Sequence, residues 1–336
     1  MVKNIQYLSQ KYGGISRFYI LSQRYFLISD VKFIEAIMSS TEFLSKGKSY
    51  DFLHPWLGQG LLTSTGRRWK NHRKFLTPAF HFNILQNFLP VFVKSGKILT
   101  EKLRSYAAQG EPVDLFPIIA LTALDNVTES IMGVSVGAQN DSESQYVKAI
   151  KDLTNVLAYR MRNAFASSDP IFNLMSMKRV QDRALKVLHD QSIKVIEARR
   201  RQLDNMENSS PISEYGIKNK HAFLDLLLLA EIDGEKIDNV SVREEVDTFM
   251  FEGHDTTTSG IVFSLFCIAN NKEVQEKILQ EQISVLGNDM SNDPTYSDIQ
   301  QMKYLECVIK ESLRLYPSVP FIERQISQDT GNTSSF

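Results

Sequence analysis

Thr248-Phe-Met-Phe-Glu-Gly-His-Asp-Thr-Thr-Thr-Ser-Gly260 decides the fold and the chemistry of this chain. It lies inside an apolar-rich stretch that opens near Ser241-Val-Arg-Glu244, a capping-box pattern, and runs to Asn270-Asn271. The whole stretch therefore predicts one long, buried helix. Yet a glycine costs about 1 kcal/mol in a helix interior, and threonine is a weak helix former. Residues that break local rules inside a buried helix mark either a functional site or a close helix–helix contact through small side chains. Glu252 and Thr256 are four apart and share one face, with Phe249 one turn before and Gly260 one turn after. Gly253 lets something bulky approach the backbone, and threonine hydroxyls can bond back to the preceding turn.

Outward from this helix, the chain is read as mostly helical. Gly and Pro number only 16 and 10 in 336 residues, too few for many short strands. Segments 67–76, 83–108, 117–133, 143–165 and 174–206 show 3.6-residue periodicity. HAFLDLLLLAEI, from His221, predicts one more helix or a helix pair, after a polar linker from Ser209 to Lys220. A charged helix ends at Gly287, and Ser297-Asp-Ile-Gln300 suggests a second capping box before a helix that Pro317 must stop. Residues 17–28 predict a hairpin around Ser22-Gln23, followed by a short helix capped at Ser29-Asp30. Ser39 to Gly66 is read as a long loop around FLHPWLGQGLL.

The 38 Lys and Arg against 39 Asp and Glu leave a net charge of -1, which speaks against nucleic acid as a partner. Cys267 and Cys307 are the two cysteines, so disulfide scaffolds and four-cysteine zinc sites are excluded while one thiolate ligand is not. No run of 18 apolar residues predicts a membrane span.

Two further constellations carry chemistry. Trp69 and Arg73, four apart in the basic run Arg67–Lys74, project an indole N–H and a guanidinium together, two donors suited to an anion. The other basic residues face elsewhere, where they could meet an acidic partner. Glu311 and Arg314 form an i,i+3 pair before an extended segment that presents Arg324.

In order along the chain, Trp69-x-x-x-Arg73, Glu252-Gly-His-Asp-Thr-Thr257 and Glu311-x-x-Arg314 resemble the three motifs of the cytochromes P-450, the haem-thiolate monooxygenases. The likeness covers nearly the whole chain. WLGQGLLTSTG, HRKFLTPAFHF and VDTFMFEGHDTTTSG are similar to the fourth family, which includes fatty-acid ω-hydroxylases and many insect enzymes.

The resemblance implies a mainly α fold with small β-sheets near the N-terminus and after the Glu311–Arg314 helix. It implies monooxygenation of an apolar substrate such as a fatty acid, hormone or xenobiotic. Thr256 would bond bound dioxygen or its waters, and Asp255 would sit on the proton route. Glu252 would be esterified to haem b (iron protoporphyrin IX). Trp69, Arg73 and Arg324 would hold its propionates, while Glu311 and Arg314 would be architectural. Phe249 and the aromatic loop 52–57 would either border a substrate channel or pack in the core.

The implied partners are an NADPH-dependent flavoprotein reductase and cytochrome b5, with NADPH and flavins reaching the reaction through the reductase. The implied location is the cytosolic face of the endoplasmic reticulum membrane. Residues 1–326 are expected to form a partial P-450 domain, with 327–336 an irregular tail. The family's proximal cysteine loop is expected beyond Arg324 but is missing from these 336 residues, as are its anchor and hinge. Cys267 and Cys307, each mid-helix, are read as small buried packing residues rather than iron ligands, so no metal ligand is assigned. The chain is thus expected to be an internal piece of a monooxygenase. Acting alone, it would serve at most as a helical interaction module.

Overall fold

The structure, a computed structural model, describes residues 2–326 except 21–22, 81, 111, 164, 208–222, 233 and 289–291. The expected linker at 209–220 and the tail at 327–336 therefore lie outside the described residues. The chain divides into two compact units, one of residues up to Tyr50 with those from Pro320, the other Asp51–Val319.

In the first unit a helix that the sequence reading missed, Val2–Tyr12, precedes the expected hairpin. Ile15–Ile20 pairs antiparallel with Gln23–Ile28, and Phe18 stacks on Tyr25 with ring centroids 5.5 Å apart. Asp30 caps the Val31–Ser39 helix by accepting from the Lys32 and Phe33 N–H groups. Among the described residues, the expected sheet after residue 315 is reduced to a single bridge, Lys46 to Arg324, with the Gln325 N–H donating to the Ser45 carbonyl at 3.0 Å. Glu323 lies where a side chain on Gly47 would be, and accepts from the Ser49 N–H at 3.2 Å.

The second unit is built around the predicted long helix, Asn239–Ala269. It packs chiefly against Leu115–Met132, then Ser176–Glu207 and Lys303–Leu315. Val242, Val246 and Met250 form its fully buried stripe at i, i+4 and i+8. Burying each contributes about 1.5–3 kcal/mol. Its start differs from the sequence expectation. Asp238 is the N-cap, accepting from Val240 and Ser241 N–H, because Glu244 is committed to Arg68 and cannot reach back to a cap. The second capping box is likewise displaced, to Thr295 and Asp298. Gly287 closes Lys272–Leu286 with φ 83°, as read.

Three other segments depart from expectation. The 83–108 periodicity is split into Phe82–Leu85, a 3-10 turn and Leu89–Gln109, since Pro90 sets a new helix start. The loop before Gly66 contains a 3-10 turn, Lys48–Leu53, and a short helix, His54–Leu57. HAFLDLLLLAEI yields one helix, Phe223–Leu229, and then a strand pair, Glu231–Ile232 with Glu235–Lys236, where Gly234 takes φ 84°. Leu115–Met132 is the one helix among the described residues with the length and composition to cross a membrane, at mean hydropathy 1.3. Half of it is buried in the fold.

Candidate functional site

The unusual turns of the long helix meet different neighbours on different sides. A Cβ on Gly253 would lie 2.6 Å from Cγ2 of Val127, so Gly253 serves the close contact with Leu115–Met132. The small-residue reading therefore applies at this one position. On another side, the Thr256 hydroxyl donates to the Glu252 carbonyl. All around the helix, the residues from Phe251 to Thr256 are half-buried. Thr258, in contrast, is fully buried and bonds back to the His254 carbonyl at 2.8 Å.

Asp255 is 34% exposed, enough for exchange with water, and its Oδ1 stands 3.5 Å from His254 Nδ1. Burial pushes the His254 imidazole below its ordinary pKa, with Asp255 and the Ala120 carbonyl offsetting part of that shift.

Trp69 and Arg73 sit on the Gly66–Leu76 helix, half-buried and exposed respectively. Neither side chain has a hydrogen-bond or ion-pair partner among the described residues. A paired indole N–H and guanidinium left without a protein acceptor fit the carboxylates of a haem. The rest of this basic run differs from expectation. Arg68 donates to Glu244 Oε2 at 2.7 Å, and His72 is buried against Glu245. Both side chains are turned inward by carboxylates of the long helix, which depletes the patch proposed for an acidic partner.

Glu311 and Arg314 form a two-pronged pair, both bonds 2.7 Å, on an exposed helix face. Hydrogen bonding from Arg314 holds the Glu311 carboxyl below its usual range. Arg324 belongs to the first unit, where its Nη1 donates to the Glu323 carbonyl at 3.1 Å. The structure thus places Glu252, Asp255 and Thr256 on one helix segment, and Trp69 and Arg73 four residues apart on another helix.

The aromatic residues resolve toward packing. Trp56 is buried edge-on to Phe251 at 5.2 Å, and Phe52 lies under the Arg160 guanidinium at 4.5 Å. Phe249 meets Phe223 at 4.6 Å and Phe80 at 5.3 Å. The cysteines are a correction: Cys267 is half-buried and Cys307 is exposed. The reason is amphipathicity, since Lys303–Leu315 buries only Ser312 among its residues and turns Cys307 outward.

Sequence reading missed two features. Asp247 is a buried carboxyl on the long helix, bonded by Ser192 Oγ at 2.7 Å and flanked by Arg243 and His189 at 3.7 and 3.6 Å. Ser318 Oγ donates to the Thr256 carbonyl at 2.9 Å. Neither pairing leaves a local pattern, because the partners are 55 and 62 residues apart.

The family model described as Cytochrome P450 matches residues 1–331. The chain belongs to the cytochrome P450 family. It is 43% identical over 326 residues to cytochrome P450 4d2 of Drosophila melanogaster, covering 95% of this chain and 65% of that protein. With cytochrome P450 4c3 of the same fly it shares 41% identity, covering 94% and 61%. The chain therefore spans less than two thirds of the length of these P450 relatives. Their shared family number agrees with the fourth-family wording of the sequence. The crystal structure of a cytochrome P450, CYP102L1, superposes with a TM-score of 0.80 at 20% identity, over 98% of this chain and 72% of the other. That likeness establishes the P450 fold: mainly helical, with small sheets.

Proposed function

We propose that this P450 chain forms part of a haem-dependent monooxygenase that inserts one oxygen atom from O2 into an apolar small molecule. Fatty acids, hormones and xenobiotics are the substrate classes, with electrons from NADPH delivered by a flavoprotein reductase or cytochrome b5. The observation that carries this reading is Thr256. Its hydroxyl hydrogen is given to the Glu252 carbonyl, so the lone pairs of Oγ1 are left to accept from a water or a bound molecule. Haem b, when bound, supplies the dioxygen chemistry.

The protein's own groups supply the rest. Thr256 orients a hydrogen-bonded proton donor, and Asp255 exchanges protons between that donor and solvent. Trp69 and Arg73 bind the propionates through charge-assisted bonds. Arg324 carries the same assignment on the family resemblance alone. Glu252, at the head of the Thr256 turn, is the residue to be esterified to the haem. Neither Cys267 nor Cys307 is assigned to the iron. A place at the cytosolic face of the endoplasmic reticulum is part of the same reading, supported by the likeness to cytochrome P450 4d2.

The test uses the full-length haem-loaded protein with a P450 reductase, NADPH and lauric acid, with mass spectrometry of the products. A hydroxylated product that falls about 10-fold or more in Thr256→Ala supports the reading, in line with the loss of a positioned proton-transfer group. Haem-loaded protein that turns over neither this acid nor a panel of apolar substrates overturns it.

A further inference from the structure

We infer that Ser318 is a positioning residue for Thr256, clasping the turn of the long helix that carries it; the inference rests on the monooxygenase reading above. A carbonyl in a regular helix accepts one bond, from the N–H four residues on. That of Thr256 also accepts from Ser318 Oγ at 2.9 Å, using its second lone pair. The donor comes from a segment far away in sequence, just past the end of the Lys303–Leu315 helix.

Three observations show that this segment is docked at the site. Tyr316 stacks parallel on Phe263, with ring centroids 4.9 Å apart, and meets Phe266 edge-on at 6.0 Å. Phe263 lies seven residues after Thr256, two turns along the same side of the helix. Between them is Gly260, whose missing side chain would stand 3.6 Å from Ser318 Oγ and 3.4 Å from Leu313 Cδ2. Pro317 joins the stacked ring to the hydroxyl and restricts the backbone between them. Tyr316-Pro317-Ser318 is thus a three-residue clasp with an aromatic anchor at one end and a hydrogen bond at the other.

Thr256 is held from both directions as a result. Its hydroxyl is tied to the carbonyl one turn back, and its own carbonyl is tied to Ser318. A threonine in a helix has two accessible rotamers, and the backbone bond selects one. Ser318 fixes the backbone on which that choice is made. Its contribution to catalysis runs through Thr256, by keeping the hydroxyl where it accepts from the proton donor.

The experiment compares Ser318→Ala, Thr256→Ala and the double variant in the full-length haem-loaded protein, with Ser318→Cys as a near-isosteric weak donor. Amide hydrogen exchange over Thr256–Gly260, measured without substrate, should quicken by about fivefold in Ser318→Ala, as loss of one hydrogen bond implies. Substrate affinity should stay within about twofold of wild type, since Ser318 contributes no binding group in this scheme. The fraction of NADPH electrons recovered as product should fall, with hydrogen peroxide released instead. In the double variant that fraction should equal that of Thr256→Ala alone.

Unchanged exchange and unchanged coupling in Ser318→Ala overturn the inference. So does a double variant worse than Thr256→Ala, which would mean that Ser318 acts elsewhere. If Ser318→Ala does not retain haem, the same comparisons are made with Ser318→Cys. If wild type yields no product, the monooxygenase reading fails by itself, and hydrogen exchange still decides whether the clasp holds Thr256.

Discussion

His72 Nδ1 stands 2.5 Å from Glu245 Oε1, and neither side chain touches water beyond 4% of its surface. The second carboxylate oxygen accepts from the Leu61 N–H at 3.1 Å. One glutamate on the long helix thus ties down both the basic helix that carries Trp69 and Arg73 and the glycine-rich loop before it. Glu245→Ala leaves the buried His72 imidazole and the half-buried Leu61 amide without a partner. Such a loss costs about 1–3 kcal/mol for each group left unsatisfied, whereas Glu245→Gln keeps an acceptor and should cost less. Chemical denaturation reads the difference; an alanine variant within 1 kcal/mol of wild type would contradict the pairing.

Gly253 and Val127 should be energetically coupled. Alanine at 253 regains about 1 kcal/mol of helix propensity but must displace Val127 Cγ2, and overpacking of this kind costs about 1–3 kcal/mol. Val127→Ala opens the space. A double-mutant cycle should therefore show a favourable coupling of about 1 kcal/mol or more, and strict additivity would refute the contact.

Asp247 predicts a pH dependence of stability. Burial raises its pKa from 3.8 to about 7, outweighing the Ser192 bond and the Arg243 charge, which pull it down. Glu244, about one turn earlier on the helix, adds to the rise. Between those two values the folded chain holds a proton that the unfolded chain has lost. Stability conferred by the neutral carboxyl is complete below pH 3.8 and is lost as pH rises through about 7. Asp247→Asn should flatten the denaturation midpoint between pH 5 and 7.5, a window drawn about those values. A slope as steep as wild type would exclude this group as its source. His189, itself held below its ordinary pKa by burial, remains in the variant and sets its residual slope.

Cys267 and Cys307 should be dispensable for the iron. Both lie within helices, one half-buried and one exposed. In the full-length haem-loaded protein, Cys267→Ser with Cys307→Ser should leave the reduced carbon-monoxide Soret band in place. Loss of the band would return one of them to the ligand position.

Glu252 is expected to bond covalently to the haem. Acidified organic solvent should leave haem on the wild-type full-length protein and strip it from Glu252→Ala. Equal extraction from both would remove the ester from the scheme.

Elements set by local hydrogen bonding were legible in advance. The helix over Asn239–Ala269, the Asp30 cap and the Gly287 terminus follow from residues within a few positions of one another. The first capping box was misplaced because its carboxylate had a distant claimant: Glu244 pairs with Arg68 across 176 residues. The strand pair at 231–236 was hidden by the leucine run before it, although Asp233-Gly234 is a turn signal. Of the candidate site, Glu252, Asp255, Thr256, Trp69 and Arg73 could be named from motif and spacing. Asp247, Glu245 and Ser318 could not, since nothing local distinguishes them from ordinary polar residues.

The amino-acid sequence by itself determined that one long helix carries a glycine–threonine turn, and that this turn and two flanking motifs belong to a P450. Tertiary structure alone decided which neighbour each side of that turn meets: Val127 at Gly253, Ser318 at the Thr256 carbonyl, and solvent at Asp255. Helical periodicity defines the sides of a helix from within about four residues, but their partners come from helices packed against it from other parts of the chain.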